Sequence, residues 1–163
     1  AWSPNDDRIA ALSKHHRITI WDNLTDEDPQ KIEEGAGSLA WDPHGERLAF
    51  AGKDRRIHIL TLSNEELISS SIGHVAEVMT VAWNSAGTRL ATAGKDTTVR
   101  IWDATTVDEI ARLRGHAGFV TSLGLIPGSE LLATSARDQT IKIWNTNRTK
   151  ERATLAGYRD AVR

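Results

Sequence analysis

The 163-residue chain contains no cysteine, so it can form neither a disulfide framework nor a thiolate metal site. This composition fits a cytosolic protein but does not require one. The sequence also contains no stretch that approaches the roughly 18 apolar residues of a membrane helix, and no charged region followed by an apolar signal segment at its start. We therefore expect a soluble, cytoplasmic protein that does not associate with membranes.

A strong charge bias is also missing, because the 20 Lys and Arg residues are nearly balanced by 22 Asp and Glu residues and the net charge is −2. This balance offers no global attraction for nucleic acid. The six histidines include no pair at the spacing of metal ligands, and the acidic segment 22–28 lacks the glycine and final Glu of a calcium loop. No glycine-rich loop opens a helix to hold a phosphate. The sequence thus predicts neither a metal nor a cofactor.

The chain does contain an internal repeat, which joins a Gly-His pair, a polar turn and a Trp. One copy consists of Gly73-His74, Asp96 and Trp102, and forty-two residues later (116 − 74) the next consists of Gly115-His116, Asp138 and Trp144. The polar turn itself occurs four times, at spacings of 39 (54 − 15), 42 (96 − 54) and 42 (138 − 96) residues. The four turns are Lys14-His15, Lys53-Asp54, Lys95-Asp96 and Arg137-Asp138.

Short strands surround each of these turns. An alternating β-branched stretch such as 98–103 follows the turn, and a second short apolar stretch such as 89–93 precedes it. A third strand lies further upstream, and a weaker fourth follows the Trp position. The repeat units therefore span roughly 1–29, 30–71, 72–113 and 114–155, and residues 156–163 start a further unit.

A period of about 40 to 45 residues with Gly-His near one end and Trp-Asp at the other resembles the WD-repeat family over essentially the whole chain. The resemblance implies an all-β propeller with about four blades of four antiparallel strands. Because rings of this family usually contain seven or eight blades, we expect part of a longer propeller, in line with the absence of an initiator Met. Two alternatives remain open: two copies complete one eight-bladed ring, or four blades close alone.

The resemblance also implies a buried hydrogen-bond relay in each complete unit, formed by His, Thr, Asp and Trp. A buried indole N–H needs an acceptor, and a buried imidazole needs partners that fix its tautomer. A nucleophilic triad is the competing interpretation, but the set occurs twice and ends on a Trp, which favours a structural role. The relays consist of His74, Thr92, Asp96 and Trp102 in the third unit, and of His116, Thr134, Asp138 and Trp144 in the fourth.

The first two units depart from this pattern. The second keeps Asp54 but has Phe50 and Leu60 where Thr and Trp are expected, while the first has His15 at the Asp position and retains Trp21. We therefore expect apolar packing to hold these two blades. Alternation along the strand predicts that His58 points outward, and recurrence at one repeat position predicts that three further tryptophans are core residues. These are Trp2, Trp41 and Trp83.

A basic residue precedes each turn position, and in WD-repeat proteins this position and the loop after Gly-His commonly belong to a partner-binding face. We hypothesise a basic arc that attracts an acidic peptide or a phosphorylated segment. The alternative is that polar turns favour Lys and Arg for solubility, with Glu77 and Asp160 diluting the charge. Arg55 and Arg56 would add to the arc, and Phe119 would be an apolar anchor. The basic positions are Lys14, Lys53, Lys95 and Arg137.

The strands expected to line the central channel carry no residue suited to general acid or base chemistry. We therefore expect a non-catalytic scaffold that binds proteins or peptides, although a fold does not prescribe an activity. One alternative is a sensing or regulatory module of a larger signalling protein or enzyme, such as a kinase or NTPase. Another is a propeller enzyme with its site in further blades. The channel positions are Ser38, Met79, Thr80, Thr121 and Ser122.

Overall fold

A computed structural model describes residues 1–5, 7–23, 25, 27–33, 35–70, 73–148 and 150–156. These residues form fifteen β-strands, and none of the described ranges contains a helix. The described residues accordingly include no helix that could cross a membrane. Apart from Ala156, the further unit predicted at 156–163 lies outside the described residues.

The strands form four antiparallel sheets in chain order, which we number as blades 1 to 4. Blade 1 consists of β1 (Ile9–Leu12), β2 (Ile18–Trp21) and β3 (Gln30–Ile32). Blade 2 consists of β4 (Gly35–Trp41), β5 (Arg47–Gly52), β6 (Ile57–Thr61) and β7 (Glu66–Ser69). Blade 3 consists of β8 (Val78–Trp83), β9 (Arg89–Gly94), β10 (Val99–Asp103) and β11 (Glu109–Leu113). Blade 4 consists of β12 (Val120–Leu125), β13 (Leu131–Ala136), β14 (Thr140–Asn145) and β15 (Lys150–Ala156).

The all-β prediction is confirmed, with one difference in blade 1. In place of a fourth strand, a single bridge joins Trp2 to Ile9 at the inner edge of that sheet. The unit boundaries also shift slightly, because the whole of β3 lies after the predicted limit at residue 29 and β15 ends one residue after 155. The loop after Trp21 is longer than its counterparts, so the outer strand of blade 1 begins later in the chain.

The apolar core lies between the sheets. The inner strand β8 packs against β4 on one side and against β12 on the other, which arranges the blades as an arc of a propeller. Among the described residues, one buried cluster fills each of the three spaces between neighbouring blades. Both faces of an internal blade are therefore covered. For example, Ile57 and Ile59 of blade 2 are fully buried beneath blade 3.

Buried relays and a candidate interaction face

The four predicted relay residues of blade 3 lie within hydrogen-bonding distance of one another. His74 Nδ1 is 2.9 Å from Asp96 Oδ2, and its Nε2 is 2.8 Å from Thr92 Oγ1. On β10, Trp102 Nε1 donates to the same hydroxyl oxygen at 2.8 Å. The side chains of His74 and Asp96 are 0% and 1% exposed, and Thr92 and Trp102 are fully buried. The contacts tie together the Gly-His loop, the second strand, the turn and the third strand.

Blade 4 repeats this geometry. His116 Nδ1 lies 2.8 Å from Asp138 Oδ2, and its Nε2 lies 2.8 Å from Thr134 Oγ1. Trp144 Nε1 donates to Thr134 Oγ1, also at 2.8 Å. The side chain of Asp138 is 10% exposed, compared with 1% for its counterpart in blade 3. The two relays therefore differ mainly in how far solvent reaches the carboxylate.

The hydrogen-bond partners along blade 3 indicate which ring nitrogen of His74 carries the proton. The Thr92 hydroxyl accepts from the Trp102 indole and can then donate its own proton to His74 Nε2. The ring proton must therefore sit on Nδ1, where it is donated to the Asp96 carboxylate. Every buried polar atom of the chain of contacts then has a partner. A neutral imidazole with this tautomer serves as an architectural link and has no free nitrogen left for acid or base chemistry.

The turn carboxylates also hold the backbone of the turn. Asp96 accepts from the N–H of Val75 and from the N–H and hydroxyl of Thr98. Burial raises the pKa of Asp96, but the hydrogen bond from His74 and the two donors of Thr98 outweigh it and hold the pKa well below its ordinary value. In blade 4 burial likewise raises the pKa of Asp138, yet Thr140, His116 and the local N–H groups lower it to about 2.

In each blade the residue after the turn Asp, or after His15 in blade 1, adopts a left-handed conformation, so all four turns share one shape. The φ angles are 66° at His16, 66° at Arg55, 63° at Thr97 and 67° at Gln139. In blade 1, whose turn has His15 at the Asp position, the Ser13 hydroxyl accepts from backbone N–H groups of the turn. A short acceptor side chain in every blade thus supports a backbone conformation that non-glycine residues rarely adopt.

Blade 2 contains a polar network that the sequence analysis missed, and the prediction that His58 points outward was wrong. His58 is 3% exposed. Its Nε2 lies 3.1 Å from Asp54 Oδ1 and its Nδ1 lies 2.7 Å from Ser69 Oγ, while the ring stacks on Phe50 at 5.1 Å between centroids. Apolar packing is therefore only part of what holds this blade. The alternation rule failed because neighbouring blades cover both faces of the sheet.

The residue at the position of His58 is a buried basic side chain in the next two blades as well. It pairs with Phe50 on the second strand, as Arg100 pairs with Thr92 and Lys142 with Thr134. Arg100 is 1% exposed and its Nη1 bonds to Glu109 Oε2 on the outer strand at 2.8 Å. Lys142 Nζ bonds in the same way to Glu151 Oε2 at 2.8 Å. A basic group on the third strand thus links to a polar group on the fourth in blades 2, 3 and 4.

The prediction that Trp2, Trp41 and Trp83 are core residues is correct for two of them. Trp41 and Trp83 are 8% and 9% exposed, whereas Trp2 is 58% exposed. The buried pair packs against the preceding blade in each case. Trp2 is exposed because no sheet among the described residues covers that face of blade 1.

The predicted partner-binding residues lie at one end of the blades. The turns between second and third strands and the loops that lead to the next blade occur at this same end, because the strands of each sheet are antiparallel and sequential. Lys14 and Lys53 are exposed, and no acidic side chain lies at ion-pairing distance from either within the part of the chain that the structure describes. Arg137 is also exposed and its Cζ lies 5.7 Å from the ring centroid of Phe119, which is 40% exposed.

Two other predicted members of the basic arc have local partners. Lys95 Nζ lies 2.5 Å from Glu77 Oε2, so the carboxylate offsets its charge. Glu77 is one of the two acidic residues that the sequence suggested would dilute the charge of the basic arc. Arg55 Nη1 donates to the carbonyl of Val75 at 3.0 Å. Val75 itself is 73% exposed. The structure thus brings Arg55 next to an apolar surface residue and pairs Lys95 with a carboxylate.

The described residues contain no group of three or more His, Asp or Glu side chains that could hold a metal ion. The histidines of the two relays and of blade 2 are instead engaged in pairwise contacts with a carboxylate and a hydroxyl.

Two family models match the chain. The model described as WD domain, G-beta repeat, matches residues 65–103 and 108–145, and the model described as Anaphase-promoting complex subunit 4 WD40 domain matches residues 1–76. The chain belongs to the WD-repeat family. No curated protein matches it in sequence.

Solved WD-repeat structures have the same fold. A structure of U3-55K is 24% identical with a TM-score of 0.73, and the match covers 81% of this chain and 42% of the U3-55K chain. A crystal structure of RRP9 WD40 repeats is 21% identical with a TM-score of 0.74, and the match covers 98% of this chain and 44% of the RRP9 chain. The chain thus spans less than half the length of these structures and forms part of a propeller. At these identities the similarity establishes the fold alone.

Proposed function

We propose that this WD-repeat segment is a non-catalytic scaffold that binds an acidic or phosphorylated peptide of a partner protein on its turn-bearing face. WD-repeat domains generally mediate protein interactions. The observation that carries the proposal is the Arg137–Phe119 pair, in which an exposed guanidinium lies over an exposed ring at the end of blade 4. Such a pair offers both a charge for a carboxylate or phosphate and an apolar surface for a neighbouring side chain.

The remainder of the face extends this pattern toward blades 1 and 2. Lys53 and Arg55 lie on the turn of blade 2, beside the exposed Val75 of the following loop. A backbone hydrogen bond from His74 N to Arg55 O at 2.9 Å fixes the turn against that loop. The charged groups are therefore mounted on a rigid backbone, which lowers the entropy cost of binding.

A non-catalytic role is supported by the way the titratable groups are used. The relay imidazoles and their carboxylates are buried, and each has its hydrogen-bonding partners within the blade. A nucleophilic triad would need an accessible nucleophile beside an oxyanion site. Thr92 and Thr134, the hydroxyls at Nε2 of these imidazoles, are 0% and 1% exposed and already accept from a tryptophan, and the Thr140 hydroxyl near His116 Nδ1 donates to Asp138.

Charge reversal on the face tests the proposal. The double variant Lys53→Glu/Arg137→Glu is compared with the wild-type protein for binding of a fluorescent glutamate-rich peptide and of the same peptide carrying phosphothreonine. We expect both peptides to bind the wild type more weakly as salt rises. We expect the variant to lose about tenfold in affinity, or about 1.4 kcal/mol. Fluorescence anisotropy at two salt concentrations gives both quantities.

The control is Lys31→Glu, which reverses one charge, where the double variant reverses two, at an exposed position of β3 away from the turns. The control should retain wild-type affinity. The proposal fails if the double variant binds both peptides with unchanged affinity and unchanged salt dependence, or if Lys31→Glu weakens binding to the same extent.

A further inference from the structure

Two of the three blade interfaces are closed by a tryptophan of the inner strand. Trp83 Nε1 donates to the carbonyl of Ala40 in blade 2 at 3.0 Å, and Arg47 Cζ lies 4.6 Å from the centroid of its ring. At the preceding interface Trp41 Nε1 donates to the carbonyl of Ala1 at 3.3 Å. Arg8 Cζ lies 5.7 Å from that ring. In both interfaces an indole thus fills the space between an arginine and a backbone carbonyl.

The interface between blades 3 and 4 lacks this indole. Leu125 pairs with Leu132 as Trp83 pairs with Leu90, so a leucine occupies the tryptophan position of blade 4. A cavity of about 180 Å³ lies beside it. Buried Leu90 and Ile101 of blade 3 contribute to its apolar wall, together with Leu125. For comparison, a protein cavity of about 150 Å³ accommodates benzene.

The arginine of this interface is present but has no ring beside it. Arg89 pairs with Asp103 as Arg47 pairs with Thr61, which makes it the counterpart of the arginine that stacks on Trp83. Arg89 Nη1 donates to Asn147 Oδ1 at 2.8 Å, and its side chain is 36% exposed. The Arg89 side chain lines the cavity, and its Nη1 also lies 3.7 Å from Glu130 Oε2. Ala82, forty-two residues after Ala40 (82 − 40), supplies the equivalent carbonyl position.

We propose that this gap is a docking site for the indole ring of a tryptophan side chain presented by a partner protein. The two closed interfaces show the occupant that the same arrangement of arginine, apolar wall and carbonyl accepts. The bound indole stacks on Arg89 and donates its N–H to the carbonyl of Ala82. The peptide groups around the tryptophan lie against a polar rim of Asn84, Glu130 and Thr146, side chains that also hydrogen-bond within the chain.

This site is independent of the proposed function described above, because it lies at the opposite end of the blades. Its rim includes Ser85 and Gly128, which belong to the turns between first and second strands. Next to the cavity, Ile126 is 44% exposed and extends the apolar surface. A partner can therefore occupy this site while the basic face is occupied by an acidic peptide.

The experiment titrates N-acetyl-L-tryptophanamide, and separately indole, into the protein with isotope-labelled Leu and Ile methyl groups. We expect methyl shifts at Leu90, Ile101 and Leu125, and tighter binding of the amide than of indole because the rim contacts its peptide groups. In the variant Leu125→Trp the chain's own indole fills the gap, so the shifts should vanish and the Tm should rise. Arg89→Gln, which keeps the cavity, should weaken binding about threefold.

A control variant, Ile110→Ala, removes an exposed apolar side chain of β11 outside the cavity and should bind both probes as the wild type does. Absence of methyl shifts at saturating probe would overturn the proposal, as would unchanged binding in Leu125→Trp. Equal affinity for indole and for the amide would overturn the assignment to a partner's tryptophan. If Leu125→Trp does not fold, Arg89→Gln decides: affinity equal to that of the wild type contradicts the stacking geometry.

Discussion

Blades 2 and 3 each have an Asp at the same turn position, but the imidazole that contacts it comes from a different part of the blade. In blade 3, His74 approaches Asp96 from the loop before the first strand, and both side chains are almost fully buried. In blade 2, His58 approaches Asp54 from the third strand, and the Asp54 side chain is 47% exposed. The Asp turn is thus the common element, and the imidazole can come from either direction. We expect this difference in exposure to set how much each carboxylate stabilises its blade.

Removing the turn carboxylate should give the largest difference in stability between variants of the two blades. Asp96→Ala leaves a buried imidazole and two buried donors without partners, so we expect a loss of about 1–3 kcal/mol in the free energy of unfolding. Asp54→Ala should cost less than about 1 kcal/mol, because solvent can replace the lost contacts. Denaturant unfolding of both variants measures the difference. Equal losses would show that the exposure of the carboxylate does not set its contribution.

Acid should weaken the relay blades through the same carboxylates. The pKa of Asp138 falls from 3.8 to about 2 in the folded protein, so its contribution is present above pH 3.8 and is lost as the pH falls toward 2. Asp138→Asn should therefore lower stability at neutral pH by about 1–2 kcal/mol and flatten its acid dependence. Unfolding curves at a series of pH values test this. A variant whose stability falls as steeply as that of the wild type over this interval would contradict the assignment.

The hydroxyl of the relay should matter slightly less than its carboxylate. Thr92→Val keeps the shape of the side chain but removes the acceptor of the Trp102 indole, so we expect a loss of about 1 kcal/mol. Thr19→Val, at a half-exposed position of β2, is the control and should stay within about 0.5 kcal/mol of the wild type. If Thr92→Val matches the control, the indole and imidazole do not depend on this hydroxyl.

The smallest effect is expected for the surface pair of blade 3. Lys95 and Glu77 are 40% and 50% exposed, and solvent screens their attraction. Lys95→Ala should change stability by less than about 0.5 kcal/mol. Thermal unfolding would reveal a larger loss, which would mean that the ion pair supports the turn in addition to the Asp96 carboxylate.

The sequence predicted the repeating strands, the turns and the two complete relays well, because these depend on residues at fixed spacing within each unit. Thr92 and Trp102, for example, lie diagonally across two paired strands, where Thr92 is opposite Arg100 and Trp102 Nε1 is 2.8 Å from Thr92 Oγ1. The network of His58 was not predictable from the same spacing. Alternation assumes that one face of a strand meets solvent, whereas neighbouring blades cover both faces of this sheet.

Contacts between blades were the other part that the sequence did not predict. The stacking of Arg47 on Trp83 joins residues of different units, so no pattern within one unit indicates it. The recurrence of Arg8, Arg47 and Arg89 at the start of the second strand was a usable signal, since a repeated charged residue beside a core position needs a partner.

The tautomers of the buried imidazoles test the account most directly, because the structural role of the relays depends on them. Nitrogen-15 NMR of His74 and His116 at neutral pH distinguishes the ring nitrogens. We predict neutral rings with the proton on Nδ1, donated to Asp96 and Asp138, and an unprotonated Nε2 that accepts from Thr92 and Thr134. Rings protonated on Nε2 alone, or rings that exchange rapidly with solvent, would contradict the relay.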